Sequence, residues 1–244
     1  MGWLNQTKDE TLFTGLTLND RGVAAAVVRA ESGGRIRLKN VCWLESKHLA
    51  ESLTLVPDLL KQCDALDSSL TIVLAPEHYS LLQLDKPDMD EAELREALRW
   101  RIKDMVDFPV FDALIDMFDL PISQRPGVPS MCYVVASPKA QIDAVEQAAD
   151  KGRANLRAID IPELALRDLV MHTGMANQPN AYLSLQPKMA LIEVCVDDRI
   201  YLSRQIPLQF DLNDLNTPGS QTKMDSLLLE VQRSLDYFES QYGT

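Results

Sequence analysis

Two hairpin turns carry the polar residues with which this chain could hold a phosphate group. The first is predicted at residues 19–22, with the sequence Asn-Asp-Arg-Gly, and the second at residues 186–188, with the sequence Gln-Pro-Lys. A phosphate clamp needs small residues that let backbone N–H groups approach the ligand, and an acid that organises Mg²⁺ and its waters. Pro187 has no N–H to offer. Whether these turns can bind a nucleotide decides between an enzyme and a scaffold.

The other reactive side chains form no recognisable catalytic or metal-binding motif. No two cysteines form a CxxC pair, and the histidines share no ligand spacing. The segment Glu77-His78-Tyr79-Ser80 lacks a nucleophile context, and we interpret it as a loop after a strand. No G-x-S-x-G elbow is present. We therefore predict no catalytic residues and no metal site. The residues concerned are Cys42, Cys63, Cys132, Cys195, His48, His78 and His172.

Composition narrows the class of protein. The chain has 244 residues and a formal net charge of −12, with 46% hydrophobic and 25% charged residues. The acidic balance argues against a nucleic-acid grip, which needs clustered Lys and Arg. No apolar run approaches the ~18 residues of a membrane span, and residues 1–10 lack the apolar core of a signal peptide. These features predict a soluble cytoplasmic chain with reduced thiols.

The elements that position the first turn are three strands, a helix and a fourth strand. Residues 12–18 and 23–30 flank the turn, and residues 35–44 predict the third strand. Residues 53–66 predict a helix that begins near Pro57, because proline suits a first helical turn. Residues 70–74 form a β-branched apolar run that favours a strand buried on both faces. This β-β-β-α-β order predicts the start of a ribonuclease-H-like unit.

An insert at about residues 77–128 interrupts that unit. Its main element is a helix predicted at residues 90–106, with Asp90 as N-cap and Glu93 completing a capping box. Trp100 lies roughly 150° from the apolar stripe of this helix. It either packs under another subdomain or forms an exposed anchor for a partner. The predicted stripe consists of Leu94, Ala97, Leu98, Ile102, Met105 and Val106.

The rest of the chain completes the first half and begins a second. Strands are predicted at residues 114–120, 131–136 and 156–159, and helices after Ser137-Pro138 and at 164–171. We place the boundary between the halves at residues 172/173. A second meander follows at residues 181–207, and then a final helix. Its apolar face packs on the second sheet or forms a short coiled-coil seam. That face is predicted to contain Leu228, Val231, Leu235, Phe238 and Tyr242.

Three segments of the chain resemble the PilM-like proteins, a branch of the actin and sugar-kinase superfamily that serves type IV pilus assembly. Relatives include proteins of the mannose-sensitive haemagglutinin (MSHA) pilus and the cytoplasmic part of GspL in type II secretion. The resemblance covers most of residues 12–242. The matching residues are Glu93-Leu94, Ala97-Leu98-Arg99-Trp100, Asp107-Phe108-Pro109 and Asp116; Ile159-Asp160-Ile161-Pro162 with Ala165-Leu166; and Glu230-Val231-Gln232-Arg233-Ser234-Leu235.

The resemblance implies an α/β fold of two ribonuclease-H-like halves, residues 1–172 and 173–244, with a small α+β insert and a truncated second half. Nucleotide-binding members of this fold carry an Asp and glycines at both turns. At those positions this chain has Thr17 and Asn19, then Ser184, Gln186 and Pro187. The implied nucleotide site is therefore degenerate, and we expect no cofactor. If the match is displaced by a residue or two, Asp20 becomes the acid of the first turn and Gly22 its small partner, whereas the second turn offers no comparable alternative. ATP with Mg²⁺ is the cofactor that this alternative implies.

The resemblance further implies a non-catalytic scaffold at the cytoplasmic face of the bacterial inner membrane. Its expected partner is the cytoplasmic tail of a single-span, PilN-like membrane protein, laid in a groove or on a sheet edge. The assembly motor ATPase is a second expected partner. The alternative is an actin-like switch that binds ATP in the same machinery. The residues that we predict to bind the partner are Arg99, Trp100, Phe108 and Pro109.

Overall fold

The structure is a computed structural model that describes residues 12–31, 35–123, 127–171, 179–186, 189–208, 210 and 220–243. It divides into two compact units. Unit 1 comprises Met1–Ser80, Arg99–Ile115 and Val135–Pro162, and unit 2 comprises Leu81–Leu98, Asp116–Val134 and Glu163–Thr244. Residues of the predicted insert fall in both units. The division into halves at residues 172/173 remains a prediction.

The described residues form strands and helices in the following order. They are β1 (Leu12–Asn19), β2 (Gly22–Ala30), β3 (Ile36–Glu45), α1 (Leu49–Gln62), β4 (Ser69–Leu74), β5 (Ser80–Asp85), α2 (Glu91–Ile102), β6 (Ala113–Asp119), β7 (Met131–Pro138), α3 (Lys139–Lys151), β8 (Asn155–Asp160), α4 (Pro162–Met171), β9 (Asn180–Gln186), β10 (Met189–Val196), β11 (Arg199–Pro207) and α5 (Ser220–Tyr242).

The sheet of unit 1 has the strand order β3-β2-β1-β4-β8. The first three strands form an antiparallel meander, and β1, β4 and β8 run parallel. Helices α1 and α3 contact each other and this sheet. Alternate residues of β1, Thr14, Leu16 and Leu18, are buried. This topology confirms the predicted ribonuclease-H-like arrangement.

Helix α1 begins earlier than predicted. His48 is its N-cap, and Nδ1 of His48 accepts a hydrogen bond from the Glu51 N–H at 3.2 Å. Pro57 therefore lies inside the helix rather than at its first turn. A proline in this place removes the N–H that would bond to the Leu53 carbonyl. Burial of Val56, Leu59 and Leu60 against the sheet outweighs that loss.

Helix α2 ends at Ile102, four residues before the predicted end. Leu94, Leu98 and Ile102 are buried at i, i+4 spacing, whereas Met105 is exposed. The chain then folds back on the helix end, where Arg99 binds backbone carbonyls of the following segment. The apolar stripe is therefore shorter than its sequence pattern indicates.

Unit 2 contains the antiparallel sheet β11-β10-β9 and most of a second three-stranded sheet, β5-β7-β6. Helix α5 packs on β10 and β11, as predicted. Its buried positions are Leu227, Ser234, Phe238 and Tyr242, and Leu228 is exposed. The predicted helical face was therefore wrong at its first position. On the other side of the β9–β11 sheet, Cys195 and Ile200 pack against Leu120 and Tyr133.

All four cysteines are free thiols, and Cys42 is only half-buried. In the described part of the chain, no helix is both long enough and apolar enough to span a membrane.

Candidate functional site

The polar groups of the first turn are bound by the protein itself. The Asn19 carboxamide oxygen accepts from the Arg21 N–H at 2.8 Å, and the Asn19 carbonyl accepts from the Ser52 hydroxyl at 2.6 Å. A carboxylate oxygen of Asp20 accepts from the Leu49 N–H at 3.1 Å, at the first turn of α1. A carboxylate there interacts favourably with the helix dipole. Asp20 thus has a structural role, which explains an acidic residue at this position without a bound ligand.

Gly22 is required by packing within the meander. A Cβ atom at Gly22 would lie 2.3 Å from the Leu44 carbonyl oxygen and 2.6 Å from the Trp43 ring. A glycine at this position therefore allows β3 to approach β2 closely. Thr17, at the predicted acid position, lies in β1 opposite Ala24 and beside Val73, with its side chain exposed. A threonine hydroxyl can donate a hydrogen bond but carries no charge to organise Mg²⁺.

The second turn is described in part. Ser184 and Gln186 lie near the end of β9 and are half-buried, and Gln186 is opposite Met189 on β10. Pro187 lies outside the described residues. Among the residues that the structure describes, no three His, Cys, Asp or Glu side chains converge as a metal site would require. The described residues among the degenerate nucleotide positions carry hydroxyl and amide groups, Thr17 and Asn19 in unit 1 and Ser184 and Gln186 in unit 2.

The predicted partner-binding residues cluster around an exposed aromatic pair in unit 1. The rings of Trp100 and Phe111 meet edge to face at 5.0 Å between centroids, and each residue is 55% exposed. The Lys103 ammonium lies 5.6 Å from the Trp100 ring centroid. The Arg99 guanidinium donates to the carbonyls of Val110 and Ala113 at 2.6 and 2.9 Å. Arg99 therefore positions the segment that carries Phe111, while the two rings face solvent.

We call the exposed side chains of Trp100, Met105, Pro109 and Phe111 the Trp100 patch. Of the two sequence-based alternatives for Trp100, its exposure favours a partner anchor over a core position. Aromatic side chains that stand in solvent while pre-arranged by a neighbour are typical interface anchors. Phe111 was missed because it follows the helix, where no periodic pattern marks it.

Phe108, the fourth predicted partner residue, lines a pocket of about 370 Å³ in unit 1. We call it the His78 pocket; its other walls include Glu77, His78, Asp107 and Gln141. His78 is nine-tenths buried, and its Nε2 atom lies 4.0 Å from a carboxylate oxygen of Asp20. Among the residues that the structure describes, this Nε2 atom has no hydrogen-bond partner. A buried polar atom left without a partner is costly, so this pocket has an unfilled hydrogen-bonding group on its wall.

The His78 backbone is held by two side chains of unit 1. The Ser137 hydroxyl and the Gln141 amide both donate to the His78 carbonyl, at 2.9 and 3.1 Å. The loop interpretation of residues 77–80 is corrected in part, because Pro76–His78 form a short 3₁₀ helix and β5 begins at Ser80. Residues 77–80 all line the His78 pocket, so this segment forms one of the pocket walls.

Unit 2 contains two fully buried glutamates that sequence reasoning did not identify. Glu163 accepts from the Gln205 amide at 3.0 Å, whereas the described residues supply no hydrogen-bond partner for either carboxylate oxygen of Glu193. Burial and, to a smaller extent, the negative charge of Glu163 raise the pKa of Glu193 to about 8, while the Ser203 hydroxyl and Arg167 act to lower it. A single acidic residue inside the apolar run of β10 was the available signal.

No protein-family model matches the chain, and no curated protein matches it in sequence. Solved structures do match. A chain of the PilM–PilN type IV pilus biogenesis complex matches with a TM-score of 0.69 and 18% identity, over 96% of this chain and 79% of that one. The cytoplasmic domain of EpsL, an inner membrane component of the type II secretion system of Vibrio cholerae, matches with a TM-score of 0.55 and 13% identity, over 86% and 76%.

A Bacteroides thetaiotaomicron protein of unknown function with an actin-like ATPase fold matches with a TM-score of 0.53 and 12% identity, over 96% of this chain and 81% of that one. At these identities the comparisons establish the fold and leave the activity open. Together with the strand order of unit 1, they show that the chain has the ribonuclease-H-like, actin-like fold that these proteins share.

Proposed function

We propose that this protein is a non-catalytic scaffold in the assembly platform of a type IV pilus or a type II secretion system. The observation that carries the proposal is the match to a chain of the PilM–PilN complex across nearly the whole sequence. The match to the cytoplasmic domain of a type II secretion component supports the same class of machinery. The expected place of action is the cytoplasmic face of the bacterial inner membrane.

The proposed partner is the cytoplasmic tail of a PilN-like inner-membrane protein, held at the Trp100 patch and the His78 pocket. Phe108 lines the pocket, and Pro109 and Phe111 follow it in the patch, so a single extended peptide could engage both. Trp100 and Phe111 offer apolar area with little conformational freedom to lose. The Nε2 atom of His78, for which the described segments supply no partner, offers one hydrogen bond in the pocket wall.

The non-catalytic part of the proposal rests on the two turns. Thr17 and Ser184 lack the charge that Mg²⁺ requires, and Asp20 is bonded to the start of α1. These replacements leave the strand pairing of each meander intact. The loss of the nucleotide-binding residues at both turns supports a finer assignment, to the MSHA pilus protein MshI. A motor ATPase of the same machinery is proposed as a second partner.

Partner binding is tested by titrating the synthetic cytoplasmic tail of the PilN-like protein from the same genome into the purified chain. Trp100→Ala should weaken binding at least about tenfold, since truncation of an interface tryptophan typically costs 2 kcal/mol or more. Because the Trp100 side chain is exposed, the thermal unfolding of the Trp100→Ala variant should be close to that of the wild type. Leu66→Ala, another exposed apolar position of unit 1, is the matched control. Unchanged tail binding by Trp100→Ala would remove the patch from the interface.

The nucleotide question is tested by isothermal titration with Mg-ATP. The scaffold account predicts no saturable heat at micromolar ligand. The competing function, an ATP-binding switch, predicts micromolar binding that is lost in Thr17→Ala or Asp20→Ala. That second outcome would overturn the scaffold proposal while leaving the assignment to the machinery in place.

A further inference from the structure

Two cysteines of unit 1 lie on the face of the sheet that helix α1 covers. Cys42 is in β3, the outer strand of the sheet, and Cys63 caps the C-terminal end of α1. Helix α1 contacts both β2 and β3. Ala25 on β2 is buried and is directly opposite Cys42 in the strand register. Because residues directly opposite each other point to the same side of a sheet, the Cys42 side chain faces the helix.

Two hydrogen bonds hold Cys63 next to this point of the sheet. The Cys63 thiol donates to the Ala25 carbonyl oxygen, with 3.8 Å between sulfur and oxygen. The Asn40 carboxamide donates to the Cys63 carbonyl at 2.8 Å. Asn40 is two residues before Cys42 and therefore on the same face of β3. Cys63 is thus bound both to the residue opposite Cys42 and to the neighbour of Cys42 on the same face.

The two thiols differ in their access to solvent. Cys42 is half-buried, whereas Cys63 is fully buried. Burial raises the pKa of the Cys63 thiol, and the adjacent Cys42 side chain raises it further, to about 12. A small oxidant in solution therefore meets Cys42 first, with the protonated Cys63 thiol behind it. An accessible thiol backed by a second thiol is typical of cysteines that are oxidised and then resolved as a disulfide.

We propose that Cys42 and Cys63 form an oxidation site that closes into an intramolecular disulfide when hydrogen peroxide reaches Cys42. In the first step the Cys42 sulfur attacks the peroxide O–O bond, which gives a sulfenic acid and one water. In the second step the Cys63 sulfur attacks the sulfenic sulfur, and the sulfenic oxygen leaves as a second water. The two thiols together lose two electrons and two protons, and the peroxide is reduced to two waters.

The disulfide would fasten the outer strand of the unit 1 sheet to the end of α1. It would close a loop over residues 43–62, and a crosslink of this length stabilises a protein mainly by restricting the unfolded chain. In a reducing compartment the bond would last only while the oxidant is present. Neither cysteine belongs to the Trp100 patch or the His78 pocket. The oxidation site therefore stands or falls independently of the proposed binding of a membrane-protein tail.

The test treats the purified full chain with increasing hydrogen peroxide, removes the peroxide with catalase, and alkylates the remaining thiols in denaturant. Tryptic mass mapping should show residues 40–47 joined to residues 62–95, with Cys132 and Cys195 alkylated. Dithiothreitol should restore alkylation of all four cysteines. The oxidised chain should melt at least about 5 °C above the reduced chain, as expected for a crosslink of this loop length.

Three variants locate the site. Cys42→Ala and Cys63→Ala should each abolish the crosslinked peptide and the rise in melting temperature. Because Cys42 is half-buried, Cys42→Ala should keep the fold even if Cys63→Ala is unstable. In Cys63→Ala the sulfenic acid on Cys42 has no resolving thiol, so its adduct with dimedone should exceed that of the wild type at least about tenfold. The control, Cys195→Ala, changes a buried cysteine of unit 2 and should keep the crosslink.

Three results would overturn the proposal. The first is a Cys42 that stays a thiol at peroxide concentrations that oxidise glutathione, which would make it an inert packing residue. The second is oxidation of Cys42 to sulfinic acid without a link to Cys63, which would show that Cys63 does not reach it. The third is a dimer on a non-reducing gel that Cys42→Ala abolishes, which would assign Cys42 to a bond between two chains.

Discussion

Replacing the buried Glu193 by glutamine should remove a large part of the pH dependence of stability. Burial raises the pKa of Glu193 from 4.5 to about 8, with a smaller contribution from the charge of Glu163. Between these two values the folded protein holds a proton that the unfolded chain has released. The folded state is therefore favoured at low pH, and its stability falls as pH rises through this window.

The magnitude follows from the two pKa values. The complete difference between 4.5 and about 8 corresponds to about 5 kcal/mol of unfolding free energy. Between pH 5 and pH 9 the linkage relation gives a loss of about 4 kcal/mol from this group alone. Glu193→Gln imitates the protonated carboxyl in shape and charge. We expect it to match the wild type near pH 5 and to be more stable by about 4 kcal/mol at pH 9.

Urea unfolding, followed by circular dichroism at a series of pH values from 5 to 9, measures this difference. Glu45→Gln, which removes an exposed carboxyl from β3, is the control and should follow the wild-type curve. If Glu193→Gln and the wild type lose stability in parallel between pH 5 and 9, Glu193 does not hold its proton in the folded state. A carboxylate there would then require a cation or a water network around it.

Two further substitutions test packing in each unit. Gly22→Ala should destabilise the protein by about 2–3 kcal/mol, because its Cβ would lie 2.3 Å from the Leu44 carbonyl oxygen. Gly15→Ala in β1 is the control and should be tolerated, because a Cβ there meets no atom within 4 Å. Equal thermal melting of the two variants would contradict the packing role of Gly22. Tyr133→Phe should cost about 1–3 kcal/mol in urea unfolding, because the Tyr133 hydroxyl donates to the Ser203 carbonyl at 2.9 Å and accepts from the Ser203 N–H at 3.0 Å. Tyr237→Phe, which changes an exposed hydroxyl, is its control, and equal stabilities of the two variants would show that the buried pair contributes nothing.

The strand order of unit 1 was predictable because each strand carries its own local signal. The meander has period-two burial in β1 and a two-residue turn after Asn19, and β4 is a compact β-branched run. In the meander, strands that are adjacent in sequence also pair with each other in the sheet, so local patterns determine the pairing. The sequence therefore sufficed for the topology of this sheet.

Element ends were predicted less well, since they depend on tertiary contacts. A proline normally marks the first turn of a helix, yet burial of Leu59 and Leu60 holds Pro57 inside α1. Helix α2 ends at Ile102, and beyond it Arg99 donates to the backbone carbonyls of Val110 and Ala113. Neither contact can be inferred from helical periodicity.

The candidate site was predicted in part. The apolar stripe correctly left Trp100 outside the core of α2, and its exposure follows from that position. The Phe111 ring and the unpartnered nitrogen of His78 depend on how the chain folds back after α2, so the sequence could not indicate them. Glu193 was overlooked because one acidic residue within an apolar run does not change the prediction of a strand.

The most direct test of the scaffold account is calorimetric titration of the PilN-like tail into this protein without nucleotide and then with saturating Mg-ATP. The account predicts saturable binding in the absence of nucleotide, the same affinity when Mg-ATP is present, and at least about tenfold weaker binding by Trp100→Ala. Tail binding that appears only with Mg-ATP, or that is lost in Asp20→Ala but retained in Trp100→Ala, would contradict it.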